Sequence, residues 1–442
     1  MPPRKPPLRS SWVASDRRLP RLIARPVRHF LATESAGGVV LLGATVVALI
    51  WANSPWQGSY ESFWQTRIGF EAGSFVLSED LRHWVNDGLM TLFFFLVGVE
   101  IKRELVVGEL NERTKAALPA IAALGGMVVP ALIYVALNAG GPGSAGWGIP
   151  MATDIAFAVG VLALLGRRAP TGLKVFLLSL AIVDDIGAIL VIALFYSSGI
   201  ELSWLAGALA AIGLVVIMKR VRIWWVPAYV LVGSAAWLFT LESGIHATIA
   251  GVALGLLTPS RPSDPEGAAE AIESSTKLLD DPSPAAVRAT MIQAQEVVSV
   301  GERLAETLHP WTSFAIVPIF ALGNAGVALS AESVADAASS PITVGIVLGL
   351  VVGKLVGVTG FAWLAVRTGL GTLPASVTWQ HIMGAGAVAG IGFTVSLFVA
   401  GLAFSSDAAI GEAKVGILVA SVVATALGAV VLGTAREEEE EG

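Results

Sequence analysis

Apolar runs long enough to cross a bilayer alternate with short polar connections along most of this chain. A spanning helix needs about 20 predominantly apolar residues. Runs near 36–53, 84–101, 117–138, 148–166, 175–197, 202–218, 223–241, 243–258, 311–330, 341–366, 383–404 and 413–434 predict twelve such helices. The polar connections alternate in charge. One set holds Lys102, Arg103, Arg113 and Lys115; then Arg167 and Arg168; then Lys219, Arg220 and Arg222; then a long loop with four bases; then Arg367. The other set has Arg67 and Arg82 in its first member and no base in 139–147, 198–201, 331–340 or at Glu242. Basic short loops stay on the cytoplasmic side, so both termini are expected inside. A span count wrong by an odd number would break this alternation.

The connections predict little further structure. Residues 259–310 form a long cytoplasmic loop with nine acids against Arg261, Lys277, Arg288 and Arg303. Within it, 285–308 reads as an amphipathic helix on the membrane surface, and the part before it as unstructured. The first outer loop, 66–78, carries short β-prone runs around Glu71-Ala72-Gly73-Ser74 and reads as a hairpin, either a dimer contact or a lid. Residues 1–35 are a basic segment, expected to lie in the cytoplasm ahead of a twelve-helix domain over 36–434. Residues 435–442 are an acidic tail with five consecutive glutamates, which reads as a solvated cytoplasmic end.

Composition agrees with the pattern. Hydrophobic residues make up 55% of the 442 positions and charged residues only 14%, where a soluble domain carries about 25% charged. The fold class is therefore an all-α polytopic membrane protein. The chain has no cysteine, which excludes disulfides, thiol catalysis and cysteine-ligated zinc. No cofactor and no nucleic acid partner is expected.

Against this background a few charges stand out. The stretch AIVDDIGAIL (181–190) sets Asp184 beside Asp185 in an otherwise apolar run. Asp154 lies in the fourth span, His246 near the start of the eighth, and Lys354 in the tenth. An acid or lysine at the bilayer centre costs about 2.5–3.5 kcal/mol on insertion scales, so such residues face a partner or a wet cavity. Lys354 is 13 residues from both Pro341 and Arg367. At 1.5 Å per residue that is about 20 Å from either end, too far to snorkel, so it needs an acidic partner. Neighbouring helical residues point about 100° apart. One aspartate can thus pair with a lysine while the other faces an ion path.

Two spans are poor helices. The fourth has Gly146, Gly148 and Pro150 shortly before Thr153-Asp154, and the eleventh has Gly384, Gly386, Gly390 and Gly392. Opened backbone at membrane depth is tolerated only around a cavity or inside protein. Opened helix ends also leave partial charges, and Asp154 and Lys354 have the signs to balance them.

In this order the motifs FFFLVGVEIKREL, ATDIAFAVG, AIVDDIGAI, GIHATIAG, LHPW, FALGNAGV, VVGKLVG and AGIGFTVSLF resemble those of the NhaA-type sodium/proton antiporters, over about residues 35–435. The resemblance implies inverted repeats of spans 3–5 and 10–12, with spans 4 and 11 unwound and crossing near the midplane. It implies Asp185 as the main ion carboxylate, Asp184 beside it and able to pair with Lys354, and Thr153 and Asp154 at the crossing. It places Glu100, Lys102, Arg103 and Glu104 at a cytoplasmic mouth that responds to pH, with His246, Arg303 and His309 as further pH-responsive groups. It implies a homodimer through the outer hairpin, in a bacterial inner membrane. One departure is visible: in the turn GERLAET before LHPW only Arg303 and His309 fit the family pattern, while Glu302, Ala305 and Glu306 do not.

The expected activity is electrogenic, pH-regulated export of Na⁺, and of Li⁺, in exchange for entering protons. Small hard cations take oxygen ligands, and carboxylates supply them while also accepting protons. Two coupled acids titrate as a unit. The competing readings are a Na⁺-coupled symporter, an intramembrane aspartyl protease and a passive cation channel. Against the protease, the chain has no GxGD motif.

Overall fold

The computed structural model describes residues 36–72, 75–197, 199–221, 223, 226–258, 269, 272–276, 283–297 and 299–435. The segment 1–35, the hairpin tip Gly73-Ser74, much of the first half of the 259–310 loop and the glutamate tail lie outside them. The described chain is almost wholly helical, with one two-stranded antiparallel hairpin. Helix α1 (Ala36–Ala52) bends into a short α2 (Gln57–Trp64). Strands β1 (Arg67–Ala72) and β2 (Phe75–Asp80) pair from Arg67↔Asp80 to Ala72↔Phe75, where the alternation of β-prone residues places a hairpin. A π turn (Trp84–Leu89) leads into α3 (Met90–Val106). Then come α4 (Arg113–Asn138), a 3₁₀ helix (Ser144–Met151), α5 (Ile155–Leu165) and α6 (Thr171–Phe195). After these run α7 (Leu202–Arg220), α8 (Val226–Glu242) and α9 (Thr248–Leu257).

The loop half of the chain continues with α10 (Pro284–Val297), α11 (Val300–Trp311), a π turn (Thr312–Ile316) and α12 (Val317–Asn324). Next are α13 (Ala331–Ser339), α14 (Pro341–Leu348), a π turn (Gly349–Gly353) and α15 (Lys354–Arg367). The last three are α16 (Trp379–Val388), α17 (Phe393–Ala403) and α18 (Asp407–Gly433). Among the described residues six helices are long and apolar enough to cross a membrane, and counting each of two bent pairs as one span brings the number to eight. The chain is thus a multi-pass, mainly helical membrane protein. Of the remaining predicted spans, α9 has only ten residues, short of the membrane thickness on its own.

Two features differ from the sequence pattern. The amphipathic helix expected over 285–308 is two helices. Ser299 caps the second by accepting the Glu302 N–H at 3.2 Å, and that helix then runs without a gap through a π turn into the expected ninth span. The short helices α2 and α13 lie in segments the sequence pattern left as loops, because neither carries a long apolar run.

The site is positioned by one close helix pair, α4 against α15. Gly125 and Gly357 face each other there, and a Cβ on either would overlap the other's carbonyl oxygen. Gly353 rests on Pro130 in the same way. A Cβ on Gly126 would crowd Val358 Cγ2 at 2.9 Å and come into ordinary contact with Lys354 Cδ at 3.7 Å. Small residues that let backbones approach are the usual means of packing helices in lipid.

Candidate ion site

The fourth and eleventh apolar runs both break, and the breaks meet. The 3₁₀ helix ends at Met151, residues 152–154 are not helical, and α5 begins at Ile155. α16 ends at Val388 and α17 begins at Phe393, with a bend of 45° between them. The Asp154 N–H donates to the Ile391 carbonyl at 2.6 Å, joining the two breaks directly. Asp154 is buried. Its Oδ1 accepts from the Phe157 N–H at 3.1 Å and caps α5, and its Oδ2 accepts from the Thr394 N–H at 3.0 Å and from the Thr394 hydroxyl. One carboxylate therefore terminates the N-terminal ends of two helices, where negative charge is favoured.

One residue earlier, Thr153 joins the deep ion pair. Lys354 Nζ donates to Asp184 Oδ2 at 2.6 Å, and both side chains are 0% exposed. Lys354 also donates to Thr153 Oγ1 at 3.0 Å, while the threonine hydroxyl lies 2.7 Å from Asp184 Oδ2 and 2.9 Å from the Ala389 carbonyl. The other oxygen, Asp184 Oδ1, is buried with no hydrogen-bond partner among the described residues. Asp185, on the next position of α6, is buried and makes no side-chain hydrogen bond among the described residues. Adjacent helical positions diverge by about 100°, so the two acids serve different surroundings. Asp184 is engaged by a cation and a hydroxyl; Asp185 is a buried acceptor with nothing attached. Carboxylate oxygens of this kind are the ligands that a small hard cation takes.

A second polar region lies at the C-terminal end of α3. A cavity of about 350 Å³ is lined by Val99, Glu100, Arg103, Gly301, Glu302, Ala305, Glu306 and His309. It brings Glu100 and Arg103 together with His309 across the contact of α3 and α11. It also recruits Glu302 and Glu306, which the family pattern set aside. Arg303 does not line this cavity, and its buried Nε has no acceptor among the described residues. Lys102 and Glu104 share the helix end without lining the cavity; Glu104 accepts the Glu109 N–H at 3.1 Å.

His246 belongs elsewhere. α9 runs parallel to α3, with Gly251 against Thr91 and Gly255 against Gly98, so His246 lies at the opposite end of α3 from Glu100. Its Nε2 donates to the Tyr196 carbonyl at 2.8 Å, just past the end of α6. Sequence reasoning passed over Thr394, whose only signal was a hydroxyl directly after the glycine-rich break. It also passed over Lys414, half-buried in α18 with Nζ 3.3 Å from the Gly326 carbonyl, because it falls at the edge of an apolar run.

Comparison with known proteins finds relatives that align over most of the chain. A family model described as Na⁺/H⁺ antiporter 1 matches residues 28–432. The Na⁺/H⁺ antiporter NhaA 3 of Frankia alni is 46% identical over 415 residues, covering 94% of this chain and 89% of the relative. The Na⁺/H⁺ antiporter NhaA 2 of Sorangium cellulosum is 47% identical, covering 96% and 93% respectively. The Na⁺/H⁺ antiporter NhaA of Rhodopirellula baltica is 46% identical, covering 91% and 92%.

Proposed function

We propose, from the premise that the chain belongs to the NhaA-type Na⁺/H⁺ antiporter family, that Asp185 is the carboxylate through which it exchanges sodium ions for protons. The protein is a transporter and not an enzyme. The observation that carries the assignment is the asymmetry of the two aspartates. Lys354 and Thr153 hold Asp184, while Asp185 is buried and unengaged one residue on. A cation arriving at Asp185 meets a carboxylate that no lysine holds, and a proton on Asp185 removes the charge that holds the cation. Occupancy by one or the other, with access alternating between the two faces, gives exchange. Lithium fits the same ligands, and more than one proton per sodium makes the cycle electrogenic.

The test is proton movement in everted vesicles. Added NaCl or LiCl collapses an acid-inside gradient in vesicles carrying the protein, and KCl does not. A requirement for an organic co-substrate would favour the symporter reading and overturn this one.

The finer architecture follows the same reading. Twelve spans, with inverted repeats over spans 3–5 and 10–12, would make the two breaks the crossing of opened helices near the midplane. The alternation of basic loops would put both termini in the cytoplasm of a bacterial inner membrane, and the outer hairpin would join two copies as a homodimer. In this cysteine-free chain, Ser330→Cys reacts with an impermeant thiol reagent from outside and Ser283→Cys only from inside. The reverse labelling would refute the orientation.

The cavity at the end of α3 supports a cytoplasmic entrance whose charge sets the pH response. Glu100 is half-buried in the wall of this cavity, whereas His309 is exposed at its rim. Glu100→Gln therefore shifts the pH profile of exchange more than His309→Ala does. A larger shift from the histidine variant contradicts this assignment.

A further inference from the structure

We infer that Thr394 is a positioning residue for cation binding, whose hydroxyl bond to Asp154 registers the segment 152–154 so that the Thr153 oxygen faces Asp184 and Lys354. The inference rests on the proposed ion site around Asp185. Thr394 is the second residue of α17 and is buried at 3% exposure. Its N–H and its hydroxyl both donate to Asp154 Oδ2. Two positions on, the Ser396 hydroxyl donates to the Ile149 carbonyl at 2.8 Å. The start of α17 is thus tied to the broken fourth run on both sides of its non-helical stretch. The residue caught between these ties is Thr153, whose Oγ1 stands 2.7 Å from Asp184 Oδ2.

The amide of any residue at 394 supplies one of the two bonds to Asp154. Only the hydroxyl depends on the residue type. Residues 152–154 have no helical hydrogen-bond ladder to hold them, so their register comes from bonds of this kind. The Asp154 N–H to Ile391 bond fixes the backbone at one point, and the carboxylate held by Thr394 and Phe157 fixes it at a second. Loss of the hydroxyl frees one of these restraints and lets Thr153 turn away from the acids. A smaller cation demands tighter ligand geometry than a larger one, so Li⁺ feels this displacement more than Na⁺.

The experiment compares Thr394→Val, which keeps the branched shape without the donor, with Thr394→Ser, which keeps the donor. Apparent KM and maximal rate for Na⁺ and Li⁺ are measured in everted vesicles, with melting temperature in detergent as a fold control. Thr394→Val is expected to raise the KM for Na⁺ about fivefold or more, the scale of a lost hydrogen bond to a charged group. The rise is larger for Li⁺, the maximal rate stays near wild type, and Thr394→Ser restores both KM values. If the valine variant does not insert, Thr394→Ala takes its place in the same comparison. Wild-type KM values in the donor-free variant overturn the inference, as does a serine variant impaired as much as valine. Asp185→Asn is run alongside. Continued exchange in that variant would instead remove the ion-site reading itself, whereas a silent Thr394→Val beside a dead Asp185→Asn overturns the positioning role alone.

Discussion

Asp185→Asn is expected to abolish sodium-driven proton movement while the protein still inserts and melts near the wild-type temperature. The side chain makes no hydrogen bond among the described residues, so the amide disrupts no existing contact. What it removes is the negative charge that binds a cation and the site that takes its proton. A charge contact in a dry interior is worth about 3 kcal/mol or more, which corresponds to a loss of about 100-fold or greater. Addition of NaCl to energised everted vesicles gives no recovery of the pH signal in this variant. Wild-type-like exchange there would move the carrier role to another residue, with Asp184 the next acid in reach.

The second large effect concerns the ion pair. Lys354→Ala leaves Asp184 buried at 0% exposure with Thr153 as its only side-chain partner among the described residues. Breaking one side of such a pair costs about 3–5 kcal/mol, because the remaining charge is stranded, while removing both sides costs much less. The single variants Lys354→Ala and Asp184→Ala should therefore each lower stability strongly. The double variant should recover part of it without recovering normal exchange. A double-mutant cycle on thermal unfolding in detergent reads the coupling, expected to exceed about 1 kcal/mol for groups in direct contact. Strict additivity would show that the two do not act on one another, leaving Lys354 to compensate a helix end. Thr153→Val adds a third corner to the cycle, since the hydroxyl touches both charges.

The glutamates of α11 give the departure from the family pattern a physical meaning. Glu302 and Glu306 line the same cavity as Glu100, Arg103 and His309. The turn before LHPW therefore lines one cavity with the end of α3. The expected contrast between Glu100→Gln and His309→Ala is a contrast between the inner wall and the rim of one cavity. A linear reading separated these residues because about two hundred positions lie between them.

Much of the fold was written in the sequence for reasons of solvent. In lipid an unpaired backbone group is costly, so spans must be helical and apolar, and their runs show in the chain. A charge at depth is equally costly, so Asp154, Asp184, Asp185 and Lys354 stand out without any structure. The glycine and proline clusters likewise mark where helices open, and the observed breaks fall at 152–154 and 389–392. The surface of the 259–310 loop was less legible, because its helices gain little from lipid and their ends depend on local caps such as Ser299.

Partnership is what the sequence by itself left undetermined. It supplied a lysine in need of an acid and two acids that point apart, but left the choice between them to a family resemblance. Tertiary structure decided that Asp184 meets Lys354, that the Thr153 hydroxyl touches both, and that Asp154 is shared by α5 and α17 through Thr394. It also decided that Arg303 and His246 stand apart from the cavity that holds Glu100. The physical reason is that composition and periodicity record the solvent each residue meets. Which side chains meet one another depends on how closely helices approach and how they are rotated, and here that was set by backbone contacts such as Gly125 on Gly357.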